Sequence, residues 1–216
     1  MDGLSAHLVA IKKLRISAAD WVDWPLPTFE SAVTEPNRDR PDPEAAPPAA
    51  AWPAAVYRIL KTADVRQMAY VPDAGHATLI KLFAADAEVT SNVLTTEEEG
   101  VAIAAGAWLG GQRSVLLMQS SGVGNCINML ALPVIARFPL LMLVTMRGEW
   151  AEFNPWQVPM GQATPAALEA IGVRVMRADT APDLIATVES AAALAYEADL
   201  QIAVLIGQRL LGKKIW

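Results

Sequence analysis

Cysteine occurs once in 216 residues, at Cys126, so the chain forms no internal disulfide and offers no thiolate cluster for a metal. Histidine is almost as scarce. His7 and His76 stand far apart, which argues against an imidazole-rich metal site. Long apolar runs are also missing: the longest uncharged one, FPLLMLVTM at 138–146, is too short to span a bilayer. Lys12, Lys13 and Arg15 interrupt the only apolar start, so the N-terminus lacks a secretory signal pattern. Positive charge is in deficit, with 17 Lys and Arg against 23 Asp and Glu, a net charge of −6. That balance argues against nucleic acid or an anionic membrane as partner. These absences predict a soluble cytoplasmic protein.

Phosphate-binding loops are missing as well. No G-x-x-x-x-G-K-[ST] occurs, and SSGVGN at 120–125 supplies only G-x-G, without the third glycine or the later acid of a dinucleotide fingerprint. A nucleotide-binding protein is therefore the weaker α/β alternative.

What the chain has is apolar residue, 53 % of the total, arranged in two unlike parts. Residues 1–50 read as an N-terminal extension ending in a Pro- and Ala-rich linker, EPNRDRPDPEAAPPAAAWP. Trp21, Trp24 and Phe29 within it suggest an arm that docks on a neighbouring surface, the alternative being a flexible extension. From residue 51 to 216 the pattern is regular. Short apolar runs at 67–72, 88–94, 114–119, 140–146, 173–178 and 201–206 alternate with helical stretches near 52–63, 75–85, 97–110, 123–137, 164–171 and 181–197. Strands that read as continuous apolar runs are buried on both faces, as in a parallel sheet covered by helices. The expected fold is α/β: a doubly wound, mostly parallel six-stranded sheet with helices on both faces.

Ligands in such folds bind beyond the carboxyl ends of the strands, so those loops carry the function. PDAGH places Asp73 and His76 after the first strand, a pair able to shuttle protons, or else a capping acid beside an incidental histidine. TTEEEG puts Glu97, Glu98 and Glu99 in the first turn of an apolar helix. Charges there suit the helix dipole, and one acid facing inward could do chemistry instead. SSGVGN opens a helix with glycines that allow close backbone approach. RGEWAEFNPWQ is long, polar and aromatic, the character of a functional loop. Arg147 in it could hold an oxyanion bidentately, or form an internal ion pair with Glu149 or Glu152.

Taken in order, VPDA, EEEGVAIAAGA, LLMQSSGVGN, RGE and FNPWQVPMGQAT resemble the pyrimidine-binding (PYR) domain of thiamine-diphosphate enzymes. The resemblance is strongest to the decarboxylases of sulfopyruvate (α subunit) and phosphonopyruvate, and runs from about residue 54 to residue 212. It implies that Glu97, nine residues before Gly106, is the acid that hydrogen-bonds N1′ of the cofactor's aminopyrimidine. Sharing a proton there activates thiazolium C2 for attack on a 2-oxo acid. By the same resemblance Glu97, Gln119, Ser120, Ser121, Gly122 and Asn125 line the cofactor pocket. Asp73, Arg147 and Gln157 face the substrate, and His76 relays a proton.

The resemblance also implies a partner. No G-D-G followed by an Asn appears, so Mg²⁺ and the diphosphate would be held by a separate β subunit in a hetero-oligomer such as α₂β₂ or α₄β₄. The activity implied is decarboxylation of an anionic 2-oxo acid, with 3-sulfopyruvate to sulfoacetaldehyde and CO₂ first. Phosphonopyruvate, or a non-catalytic PYR-like scaffold, is the alternative.

Overall fold

The computed structural model describes residues 52–212; the arm with Trp21, Trp24 and Phe29 lies outside them. Six strands carry the domain: β1 Val65–Tyr70, β2 Thr90–Val93, β3 Arg113–Gln119, β4 Leu140–Thr145, β5 Arg174–Ala178 and β6 Gln201–Ile206. All pairings are parallel, in the order β2-β1-β3-β4-β6-β5. The helices are α1 Trp52–Thr62, α2 Ala77–Ala84, α3 Glu97–Leu109, α4 Ser120–Cys126, α5 Ala131–Ala136, α6 Val158–Ala170, α7 Ala181–Ala198 and α8 Gln208–Leu211.

Side chains alternate across each strand, and the sheet sorts them into two cores. Val115, Leu117, Leu141, Leu143, Ile202 and Val204 point to one face, packed under α1, α2 and α7. Leu116, Met118, Leu140, Met142, Val144, Ala203 and Leu205 point to the other, under α3, α4 and α6. Every residue of β4 and β6 is buried, which is why these strands read as apolar runs broken only by Thr145 and Gln201 at their ends.

Two helices differ from the sequence expectation. The stretch 123–137 is not one helix but α4 and α5. Pro133 has no N–H to offer the carbonyl four residues back, and the chain turns between Ile127 and Leu130 instead. Conversely, α6 starts at Val158, six residues before the expected 164, because Pro159 sits in the first turn where no intrahelical donor is needed. The acid-rich start of α3 also has its own solution. Thr96 is the N-cap but makes no side-chain cap bond; Glu99 reaches back and accepts from the Thr95 N–H at 2.9 Å.

The winding direction reverses between neighbours β1 and β3. The chain leaves β1 into α2 on one face and leaves β3 into α4 on the other. That reversal opens a crevice above the carboxyl ends of β1 and β3. A second close approach lies beside it. A Cβ at Gly161 would sit 1.9 Å from the Arg147 carbonyl oxygen. Because the obstacle is backbone, Gly161→Ala is expected to cost about 3 kcal/mol in urea unfolding; a loss under about 1 kcal/mol would show that α6 can shift freely.

Candidate active site

Four segments meet at the crevice. Gln119, the last residue of β3, donates from Nε2 to Asp73 Oδ1 at 3.1 Å, and its Oε1 accepts from Ser121 Oγ at 2.9 Å. Thr145, the last residue of β4, donates from Oγ1 to Asp73 Oδ2 at 2.5 Å. The Asp73 side chain is only 5 % exposed, so both of its oxygens take donors from neighbouring strand ends.

Glu97 sits at the first position of α3 and is 8 % exposed. Its carboxylate lies flat on Gly122: a Cβ there would fall 2.2 Å from Oε1 and 2.3 Å from Cδ. Any side chain at 122 would expel the acid. Asn125 donates from Nδ2 to Glu97 Oε2 at 2.8 Å, and Oε1 takes no donor among the described residues. Gly100, one turn into α3, lets the helix press onto β3, since a Cβ there would meet Leu116 Cδ1 at 2.3 Å. Cys126 packs in the same core, and burial, with Glu97 and Glu98 nearby, pushes its thiol up to about 12, so it stays an inert thiol.

Beyond β4 the chain is organised by Glu152. Its carboxylate accepts Arg147 Nε at 2.6 Å and Nη2 at 2.5 Å, the Gly148 N–H at 3.2 Å, the Asn154 N–H at 3.0 Å and Gln208 Nε2 at 3.0 Å. Arg147 is thus in an internal bidentate pair, while its amide donates to Ser120 Oγ at 3.1 Å. Of the two acids within reach of Arg147 in sequence, Glu149 goes elsewhere, to Arg177 on β5 at 2.6 and 2.9 Å. Arg147 also lines a cavity of about 100 Å³ with Asp73, Gly75, Thr145, Gln208 and Leu211.

The remaining sequence candidates are placed less openly. His76 is fully buried; its Nδ1 lies 3.7 Å from Asp73 Oδ2, beyond hydrogen-bond reach, and neither ring nitrogen finds a partner among the described residues. Burial pushes its pKa down to about 4 despite Asp73, so the imidazole is neutral at physiological pH. Gln157, at the end of the 3₁₀ turn Pro155–Gln157, has its Oε1 buried without a donor among the described residues. Sequence reasoning missed Glu152 as a hub, Thr145, and Gln208. The last follows β6, a carboxyl-end loop as informative in principle as the four that were read.

No family model matches the chain. It is 31 % identical to the sulfopyruvate decarboxylase subunit alpha of Methanococcus maripaludis over 70 % of this chain and 92 % of the relative. With the same subunit of Methanocaldococcus jannaschii the identity is 32 %, over 70 % and 90 % of the two chains. Phosphonopyruvate decarboxylase of Streptomyces viridochromogenes is 36 % identical over 49 % of this chain and 27 % of its own. Among solved structures, 2-oxoglutarate:ferredoxin oxidoreductase from Magnetococcus marinus superposes with a TM-score of 0.62 at 16 % identity, over 74 % of this chain and 29 % of that one. A Mycobacterium smegmatis protein assigned as a thiamin diphosphate-dependent enzyme gives 0.59 at 18 %, over 76 % and 31 %.

The fold is that of the pyrimidine-binding domains of thiamine-diphosphate enzymes. Within that class the chain belongs to the family of sulfopyruvate decarboxylase α subunits, a family of carboxy-lyase subunits that implies a partner subunit.

The Arg147 guanidinium beside Glu152 holds that carboxyl down to about 2, with the Asn154 and Gly148 N–H groups and the Gln208 amide adding to the effect against desolvation. An acid depressed in the folded state stabilises fully above its unfolded value, 4.5, and loses that contribution as pH falls toward about 2. The stability gap between the wild type and Glu152→Gln, on the order of 3 kcal/mol near neutrality, should therefore narrow through that window in urea unfolding. A gap that ignores pH would show that the ion pair contributes nothing.

Proposed function

We propose that this chain is the pyrimidine-binding α subunit of a thiamine-diphosphate-dependent decarboxylase. The reaction is 3-sulfopyruvate to sulfoacetaldehyde and CO₂, carried out in the cytoplasm with a β subunit that holds Mg²⁺ and the diphosphate. The observation that carries the reading is Glu97: a nearly buried carboxylate, seated on a glycine, with one oxygen fixed by Asn125 and the other without a donor among the described residues. A nearly buried carboxylate with one oxygen fixed by the protein and the other left to an outside partner is the arrangement a ligand-binding acid needs.

The residues fit the cofactor. The shelf at Gly122 leaves no side chain between the carboxylate and the α4 backbone, and a carboxylic acid is the group needed to share a proton with a ring nitrogen. When bound, the cofactor supplies an electron sink for the pair released as the substrate carboxylate departs. This chain's part is to hold that shared proton at Glu97 Oε1, with Asn125 fixing the carboxylate plane through Oε2. Gln119, Ser120 and Ser121 are assigned to the cofactor pocket beside it. Asp73, Arg147 and Gln157 are assigned to the substrate, and His76, a neutral imidazole buried 3.7 Å from Asp73, is assigned the proton relay.

The streptomycete relatives named phosphonopyruvate decarboxylase favour a second substrate reading, separated by comparing turnover of the two acids on the assembled pair. Glu97→Gln should lower turnover by about 100-fold or more, and Gly122→Ala, which displaces the carboxylate, should do the same. Wild-type turnover in Glu97→Gln would reduce the chain to a non-catalytic scaffold.

A further inference from the structure

We propose that Thr145 is a positioning residue of this active site. Its hydroxyl fixes the Asp73 carboxylate, and through Asp73 the Gln119 amide. The inference rests on the reading that Asp73 faces the substrate and Gln119 the cofactor.

Thr145 ends β4 and is 1 % exposed. A threonine there needs a reason, because valine has the same shape and no hydroxyl to satisfy. Its Oγ1 has two acceptors in range, the Met118 carbonyl at 3.4 Å and Asp73 Oδ2 at 2.5 Å. With one proton to give, it gives it to the nearer and charged one. The rotamer is fixed from the other side. A Cβ at Gly75 would lie 2.7 Å from Thr145 Cγ2 and 2.9 Å from Asp73 Oδ2, so only glycine lets the loop after β1 fold this tightly over the methyl group.

The bond then propagates. Asp73 Oδ1 takes Gln119 Nε2, which orients the amide so that its oxygen turns to Ser121 Oγ at the start of α4. An amide can flip at little cost where its partners both donate and accept; a carboxylate accepts only, so Asp73 admits one orientation. Thr145, Asp73, Gln119 and Ser121 thus form one chain across β4, the β1 loop, β3 and α4. Helix α4 is also the helix that seats Glu97 and supplies Asn125. Met146 and Arg147, which follow Thr145, belong to the same cavity wall, so the hydroxyl also sets the register between that wall and Asp73.

The test uses the full chain co-expressed with its partner subunit, assayed with 3-sulfopyruvate and phosphonopyruvate. Hydrogen bonds to charged groups of this strength predict a fall in kcat/KM of about 10- to 100-fold for Thr145→Val, recovered to within about threefold by Thr145→Ser. Asp73→Asn should fall at least as far, and the Thr145→Val/Asp73→Asn double variant no further, since the two act as one unit. A crystal structure of Thr145→Val should show the Gln119 amide turned away from Asp73. Thr145→Val with unchanged kcat/KM while Asp73→Asn is impaired would overturn the positioning role. So would a Thr145→Val structure that keeps the Gln119–Asp73 bond, or equal losses of kcat/KM and thermal midpoint in both Thr145 variants. Wild-type activity in Asp73→Asn would instead overturn the substrate assignment of Asp73 beneath it.

Discussion

A carboxylate taken out of water must be met by donors, and the upper rim of this sheet buries three. Asp73 and Glu152 have side chains 5 % and 4 % exposed, and Glu97 is 8 % exposed as a residue. The rim is built around satisfying them. Asp73 takes an amide and a hydroxyl from the ends of β3 and β4, which ties two neighbouring strands to the loop of a third. Glu152 takes a guanidinium, two backbone N–H groups and the Gln208 amide, and so folds the chain after β4 back on itself and onto the start of α8. Breaking either set would leave an uncompensated buried charge, which costs far more than the net gain from forming it. Glu97 differs. Among the described residues its carboxylate accepts one side-chain hydrogen bond. Two of the three buried acids complete the structure, and the third is left with bonding capacity to spare.

The contrast explains what could be read from the sequence. The parallel sheet was legible because burial on both faces fills β4 and β6 with apolar residues at all but Thr145 and Gln201, and such short runs alternate along the chain with helical stretches. That Glu97 is the one of the three acids to turn inward could be anticipated through its spacing to Gly106 within a run of motifs in order. Glu152 was not, because Arg147 has two acids within five residues and local spacing does not choose between them. The choice is made by Arg177, 28 residues beyond Glu149, which takes Glu149 with two bonds and leaves Glu152 to turn inward. Thr145 was illegible for a different reason: a β-branched residue closing an apolar strand reads as packing. Its hydroxyl acquires meaning only when Asp73, 72 residues away in sequence, is folded against it.

The segment after β4 also shows rigidity and exposure combined. The Glu152 bonds fix its backbone, and Gln208 Oε1 accepts from the Glu149 and Trp150 N–H groups at 2.9 and 3.0 Å. Yet Trp150, Phe153 and Trp156 remain 38 %, 46 % and 84 % exposed. Phe153 still packs beneath the Arg147 guanidinium, at 5.6 Å from its ring centroid, so the segment combines a fixed backbone with aromatic surface left over. Large apolar groups clustered on a fixed backbone are what an interface uses, because little side-chain or loop entropy remains to be lost on docking.

The three consecutive acids of α3 show how one short stretch serves two purposes. Successive residues on a helix point about 100° apart, so three in a row cannot share an environment. Glu98 faces solvent, and Glu99 turns back to the Thr95 N–H, closing the exposed N-terminus of the helix. Glu97 takes the remaining direction, inward, where a carboxylate fits only because position 122 has no side chain and position 100 lets the helix lie close to β3. Substituting either glycine would leave the acid's identity unchanged and alter its position. The inward placement of this carboxylate therefore depends on two missing side chains as much as on the acid they accommodate.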